Sequence, residues 1–216
     1  MVKLINYLHN NFYTEQQLLE CSKISLNELT LWQEHQLMPA CSYQLNLQLS
    51  CDSFISKHKG SQQYKFYNKG YVSWAALLKS GINQSELFNL FSTRYNNQVS
   101  LLKKRGFTCL EKKMNEGLPE HIIQEWQYFI DGVYGLCTQS GLPEDIATKE
   151  LAIAIINELI TNTHLNGQQK AHLAMTITLL DHASAAFAPH ELPLSSREKY
   201  INQLRMKYNL YGWGLS

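Results

Sequence analysis

The chain has 216 residues, 44% hydrophobic and 17% charged, with a formal net charge of +1, so it can form one large core or a small domain followed by a larger one. No apolar run reaches the ~18 residues of a membrane-spanning helix: Leu151 to Ile156 is soon interrupted by Asn157 and Glu158, and Asn6, His9, Asn10 and Asn11 deny the N-terminus a signal-peptide core. Five scattered cysteines, Cys21, Cys41, Cys51, Cys109 and Cys137, contain no C-x-x-C, so reduced thiols in the cytoplasm are expected, and neither a disulfide framework nor a zinc knuckle.

In chain order, Thr14 ahead of Glu15, Gln16 and Gln17 predicts a capped helix start, because its hydroxyl accepts a free backbone N–H. Ser25 repeats the signal for a helix through Gln36, and Pro39 closes the unit. Phe12, Leu18, Leu19, Ile24, Leu29, Trp32 and Leu37 fall where two short helices share a core. From Tyr43 to Cys51 apolar and polar residues alternate, which predicts a strand with one wet face. The polar stretch Ser53 to Gln63 then turns the chain, and Gln63 to Tyr67 returns as the second strand of a hairpin. Val72 to Leu78 reads as a helix stopped by Gly81.

Asn83 and Glu86 form a capping-box pattern that opens a long helix, with Leu87, Leu90, Phe91, Tyr95, Val99 and Leu102 at three- and four-residue steps. Such a stripe is more often plain core. Helices are predicted over 119–137, 143–164, 167–187 and 196–208, with Ser195 to Glu198 as a further capping box.

The first stretch resembles the helix-turn-helix of MerR-like winged-helix regulators, through Thr14, Leu18, Ser25, Leu29, Trp32, Leu37, Met38 and Pro39. Tyr64-Lys65-Phe66-Tyr67, ahead of the Val72 to Leu78 helix, is similar to the string that ends the wing in that family. The resemblance implies a mainly α protein: a winged helix-turn-helix with a small β-hairpin in residues 1–81, followed by an all-helical domain in 82–216. It also implies nucleic-acid contacts from Asn27, Thr30, Lys57, Lys59, Lys65 and Lys69 and, because the family places a long dimerising helix where the helix opened by Asn83 falls, an antiparallel helix pair in a homodimer. Asn27, Thr30 and Glu34 stand where the family carries arginines, with Glu28 nearby, and the glutamates would repel phosphate, so DNA is expected to bind weakly unless the hairpin lysines compensate. Charge is segregated: residues 53–113 hold eleven basic and two acidic residues, against six basic and eleven acidic in 114–216. The basic middle is therefore expected to dock on the acidic remainder more than on phosphate.

In the C-terminal half, Asp131 to Cys137 carries two glycines three apart, each costing about 1 kcal/mol in a helix relative to alanine, so a close approach or a helix end is expected there. Asp131-Gly132-Val133-Tyr134-Gly135-Leu136-Cys137, Lys149-Glu150, Phe187-Ala188-Pro189-His190-Glu191 and Ser195-Ser196-Arg197 resemble an uncharacterised bacterial family with a natural-product-biosynthesis label. Cys137 as nucleophile, His190 as base and Asp181 or Glu191 as orienter would make a catalytic set. The structural alternative, which carries more weight, makes Cys137 a small buried hydrophobe, His190 and Glu191 a loop cap, and Asp181 the partner of Arg197. A pocket of Tyr134, Cys137, His190 and Arg197 for a small anionic ligand is intermediate, Arg197 supplying a bidentate donor. No two of His164, His172, His182 and His190 stand four apart, and Gly132 to Gly135 lacks the lysine of a P-loop, so neither metal nor cofactor is expected. The function expected is that of a non-catalytic regulatory or accessory protein whose helical domain senses a ligand or partner, with an enzyme built on Cys137, His190 and Asp181 as the alternative.

Overall fold

The computed structural model describes residues 2–162 and 164–211; Thr163, inside the helix expected over 143–164, and the last five residues lie outside them. The chain opens with α1 (Val2–Asn11), β1 (Phe12–Thr14), α2 (Glu15–Ser22) and α3 (Leu26–Glu34). The capping chemistry is as the sequence predicts: Thr14 Oγ accepts the Gln17 N–H at 3.2 Å while the Gln17 side chain accepts from Thr14 N at 2.9 Å. Ser25 and Glu28 make the same reciprocal pair. α1 and β1 are not signalled in the asparagine-rich N-terminus. They form because Leu8 and Phe12 bury themselves against Phe66, a contact whose partner is more than fifty residues away.

β2 (Tyr43–Asp52) and β3 (Lys57–Asn68) pair antiparallel, with Tyr43 opposite Phe66 and Asp52 opposite Lys57, and β1 joins the other edge of β3 to give the order β1-β3-β2. β3 starts six residues before the predicted return at Gln63. Lys57 to Gln63 are exposed and show no apolar alternation, so only main-chain pairing to β2 makes them a strand.

Seven helices follow: α4 (Tyr71–Lys79), α5 (Gln84–Lys104), α6 (Leu118–Ile130), α7 (Val133–Cys137), α8 (Pro143–Ile160), α9 (Gly167–Ala183) and α10 (Gln203–Lys207), the last entered through a π turn at Glu198–Asn202. The molecule is thus mainly helical with a small antiparallel sheet. Three sequence expectations change. The helix over 119–137 breaks after Ile130, where Gly132 takes φ +79, into α6 and α7. The helix from Gly167 ends at Ala183, because Ser184 turns extended and bridges to Thr138. The capping box at Ser195 is half made: Ser195 Oγ accepts from Glu198 N, but the Glu198 carboxylate accepts from Asn202 instead.

The α5 stripe, Leu87, Phe91, Tyr95, Val99 and Leu102, is buried within the chain against α6 and α8. The largest hydrophobic cluster joins Leu18, Leu29, Tyr71 and Trp74 to Phe91, Phe129 and Ile146. Trp74 stacks edge-on to Phe129 at 4.8 Å, and Phe91 to Trp126 at 5.3 Å. Each such side chain contributes about 1.5–3 kcal/mol by burial, against ~0–1 kcal/mol for an exposed ion pair. Apolar packing, rather than charge, therefore joins the residues before Gly81 to the helices after it. No helix of the described residues is long and apolar enough to cross a membrane.

Candidate functional site

The two unusual glycines lie on a seam between α7 and β3. At Gly132 a Cβ would stand 2.7 Å from the Ala40 carbonyl oxygen, and at Gly135 it would fall inside 3.0 Å of both the Ser42 and Tyr71 hydroxyls. Asn68, at the end of β3, is buried beside them. Its amide donates to the carbonyls of Gly135 at 2.9 Å and Gln139 at 3.3 Å, and its Oδ1 accepts from Gly70 N at 2.9 Å. The close approach expected from the glycine spacing is therefore an approach of the chain's own backbone and side chains.

Of the four residues expected to line an anion pocket, Arg197 and Cys137 both meet the backbone of Ala185, His190 is exposed and Tyr134 turns to Glu125. Arg197 donates to the carbonyls of Ala185, Asp181 and Ser184 and pairs with the Asp181 carboxylate at 2.6 Å. Asp181 also meets Arg205 at 2.7 Å. Burial works against ionisation of Asp181, but hydrogen bonds from Arg205 and Arg197 outweigh it and hold the carboxyl below its ordinary range. His190 is 61% exposed and lies 3.9 Å from Glu191, which accepts the Tyr43 hydroxyl at 2.6 Å. Half-buried Cys137 uses its carbonyl, accepting from Lys149 Nζ at 3.0 Å and Ala185 N at 3.3 Å. Asp181 is thus occupied by two arginines, the arrangement of the structural alternative. The side chains weighed for nucleic acid lie on α3 and along or just after β3. Asn27 and Thr30 are exposed on α3, Lys57 and Lys59 are exposed on the hairpin, Lys65 pairs with Glu15 at 3.4 Å, and Lys69 donates to the Asn10 carbonyl at 2.7 Å.

What the fold does bring together is a set the sequence did not single out. On α6, His121 and Glu125 stand four residues apart, so helical periodicity puts both on one inward face. Glu150 on α8 and Lys113 from the short turn Lys112–Met114 complete the group. His121 Nδ1 lies 3.5 Å from Glu125 Oε1, and Lys113 Nζ 3.3 Å from Glu150 Oε2. The Tyr95 hydroxyl sits 3.3 Å from His121 Nε2, and the Tyr134 hydroxyl donates to Glu125 Oε2. Burial, and next the charge of Glu150, push the Glu125 carboxyl up to about 8. Burial likewise holds the His121 imidazole below its usual range, so the pair is largely neutral at pH 7. On its outer side His121 shares the wall of an open cleft of about 750 Å³ with Lys112, Lys113, Glu116, Glu120 and Gln124. The sequence signal is a histidine four residues before a glutamate, which histidine spacing alone does not show, and the contribution of α8 needs the fold.

Residues 87–209 match a family described as a family of unknown function, DUF6058. The chain belongs to the DUF6058 family. The matched DUF6058 span runs from Leu87 in the first turn of α5 through α10 and contains all of His121, Glu125, Glu150, Lys113, Tyr95 and Tyr134, whereas α1 to α4 and the sheet lie before it. No curated protein and no solved structure matches the chain.

Proposed function

We propose that this is a non-catalytic regulatory or accessory protein, in which a winged-helix-like N-terminal unit is held rigidly against a helical domain that senses a ligand or a partner. The observation that carries this reading is the element order α1, β1, α2, α3, β2, β3 with sheet order β1-β3-β2, a short helix pair followed by a hairpin in a three-stranded antiparallel sheet. The Asn68, Gly132 and Gly135 seam supports transmission from the helical domain, since a shift of α7 must move β3 with it. Natural-product biosynthesis is the setting that the C-terminal strings imply. A non-catalytic role is supported by the commitment of Asp181 to two arginines and by Glu191, the other carboxylate weighed as orienter, accepting the Tyr43 hydroxyl and standing 3.9 Å from His190, beyond hydrogen-bond distance.

The surface of α3 favours a protein partner over duplex. It exposes Leu26, Asn27, Glu28, Thr30, Leu31 and Glu34 and contains neither lysine nor arginine. Lys57 and Lys59 on the hairpin, if both met phosphate, would give a salt slope of only about −1.8. Fluorescence anisotropy with a random-sequence duplex across a salt series tests this: weak binding with a slope no steeper than about −2 is expected. Submicromolar affinity with a slope of about −6 or steeper would restore a DNA-binding role and remove the protein-facing one.

A further inference from the structure

We propose that His121, Glu125 and Glu150 form a binding site for one divalent transition cation, of the Zn²⁺ or Mn²⁺ class, entered from the cleft beside His121. The inference goes beyond the regulatory reading and stands whatever the N-terminal unit does. One ligand atom from each residue, an imidazole nitrogen and two carboxylate oxygens, lies within 4.8 Å of the others. His121 Nδ1 and Glu125 Oε1 are already 3.5 Å apart. That is longer than an N–H···O hydrogen bond, at about 2.7–3.2 Å, and matches the roughly 3.4 Å between two donors on a tetrahedral ion with bonds of about 2.0–2.2 Å. A rotation of the Glu150 side chain is the remaining movement needed.

The surrounding groups orient these atoms as outer partners of a metal site do. The Tyr95 hydroxyl faces Nε2 of His121, which leaves Nδ1 toward Glu125. The Tyr134 hydroxyl takes Oε2 of Glu125, which leaves Oε1 toward His121. Both tyrosines are buried, so neither position is easily lost. An imidazole and two carboxylates are a donor set for Zn²⁺ or Mn²⁺, not for a soft cation. Because His121 also lines the cleft, further coordination positions open toward solvent and admit water or a ligand. Lys113 is the built-in competitor. Its ammonium neutralises Glu150 in the cation-free protein and is reached from the same cleft, so a divalent ion displaces it outward.

The test uses the full-length protein titrated with Co²⁺, followed by visible absorption, and with Mn²⁺, followed by electron paramagnetic resonance. One equivalent should bind, and the cobalt spectrum should show d–d bands without thiolate charge transfer. H121A and E150Q should each weaken binding by at least the ~10-fold that loss of an outer partner alone costs. K113Q should tighten it, and H190A, away from the cluster, should leave it unchanged. Far-UV circular dichroism establishes that each variant is folded, and the gain in K113Q cannot come from misfolding. No saturable binding at millimolar metal, binding unchanged in H121A and E150Q, or a thiolate band that places the ion on cysteine would each overturn the site.

Discussion

Gly135→Ala is the sharpest test of the seam, because two physical effects with opposite signs meet there. Gly135 is interior to α7, where alanine gains about 1 kcal/mol over glycine in intrinsic propensity. Against that, the new methyl meets the hydroxyls of Ser42 and Tyr71 inside 3.0 Å, with the next ring carbon of Tyr71 at 3.0 Å. Ser42 can rotate, but Tyr71 is fully buried and lies edge-on to Phe129 at 6.1 Å, so relief requires repacking of the aromatic cluster. Overpacking of this kind costs ~1–3 kcal/mol and more where rings must move. A net loss of about 2 kcal/mol is expected, which lowers Tm by about 4–8 °C in a chain of this size. Gly167→Ala is the matched control. It begins α9 with nothing within 4 Å of its added Cβ and should leave stability level or raise it by up to about 1 kcal/mol, which is up to about 2–4 °C in Tm. Thermal unfolding followed by circular dichroism measures both, and adding Y71F, which removes one of the two hydroxyls, should return part of the G135A loss. If G135A raised Tm as G167A does, the close approach would not exist and the account of the two glycines would fail.

Asn68→Ala should cost about 1–3 kcal/mol, since it leaves the buried Gly135 carbonyl and the part-buried Gln139 carbonyl and Gly70 N–H without their partner; a stability from urea unfolding within about 0.5 kcal/mol of wild type would refute it. Asp181 is held ionised by Arg205 and Arg197, so its folded pKa lies below the ordinary 3.8. A depressed carboxyl stabilises the fold above its unfolded pKa and loses that contribution as pH falls through the folded value. Wild type should therefore exceed D181N by about 1–3 kcal/mol at pH 7, with the gap closing below about pH 4. A gap that did not change between pH 7 and pH 3 would show that the arginines do not act through the charge of Asp181.

Local chemistry was legible wherever cause and effect lie within a few residues. The caps at Thr14, Ser25 and Asn83 are reciprocal side-chain to backbone bonds across three residues, so the sequence alone determined where α2, α3 and α5 begin. The α5 stripe and the alternation in β2 likewise specify buried faces through their periods. The glycine pair at 132 and 135 announced a close approach, but what approaches is set by Ala40, Ser42 and Tyr71, which periodicity cannot place. β1 exists only through pairing with a strand more than fifty residues away, and the outer half of β3 only through main-chain pairing with its hairpin partner β2. The candidate site is the strongest case. His121 and Glu125 share a helical face by spacing, but Glu150 and Lys113 join them only because α8 and the 112–114 turn pack against α6 and α5, and burial then changes the protonation of groups that sequence leaves ordinary. Charge, hydrogen bonding and metal affinity depend on distances between side chains and on the removal of water, and both are products of tertiary packing.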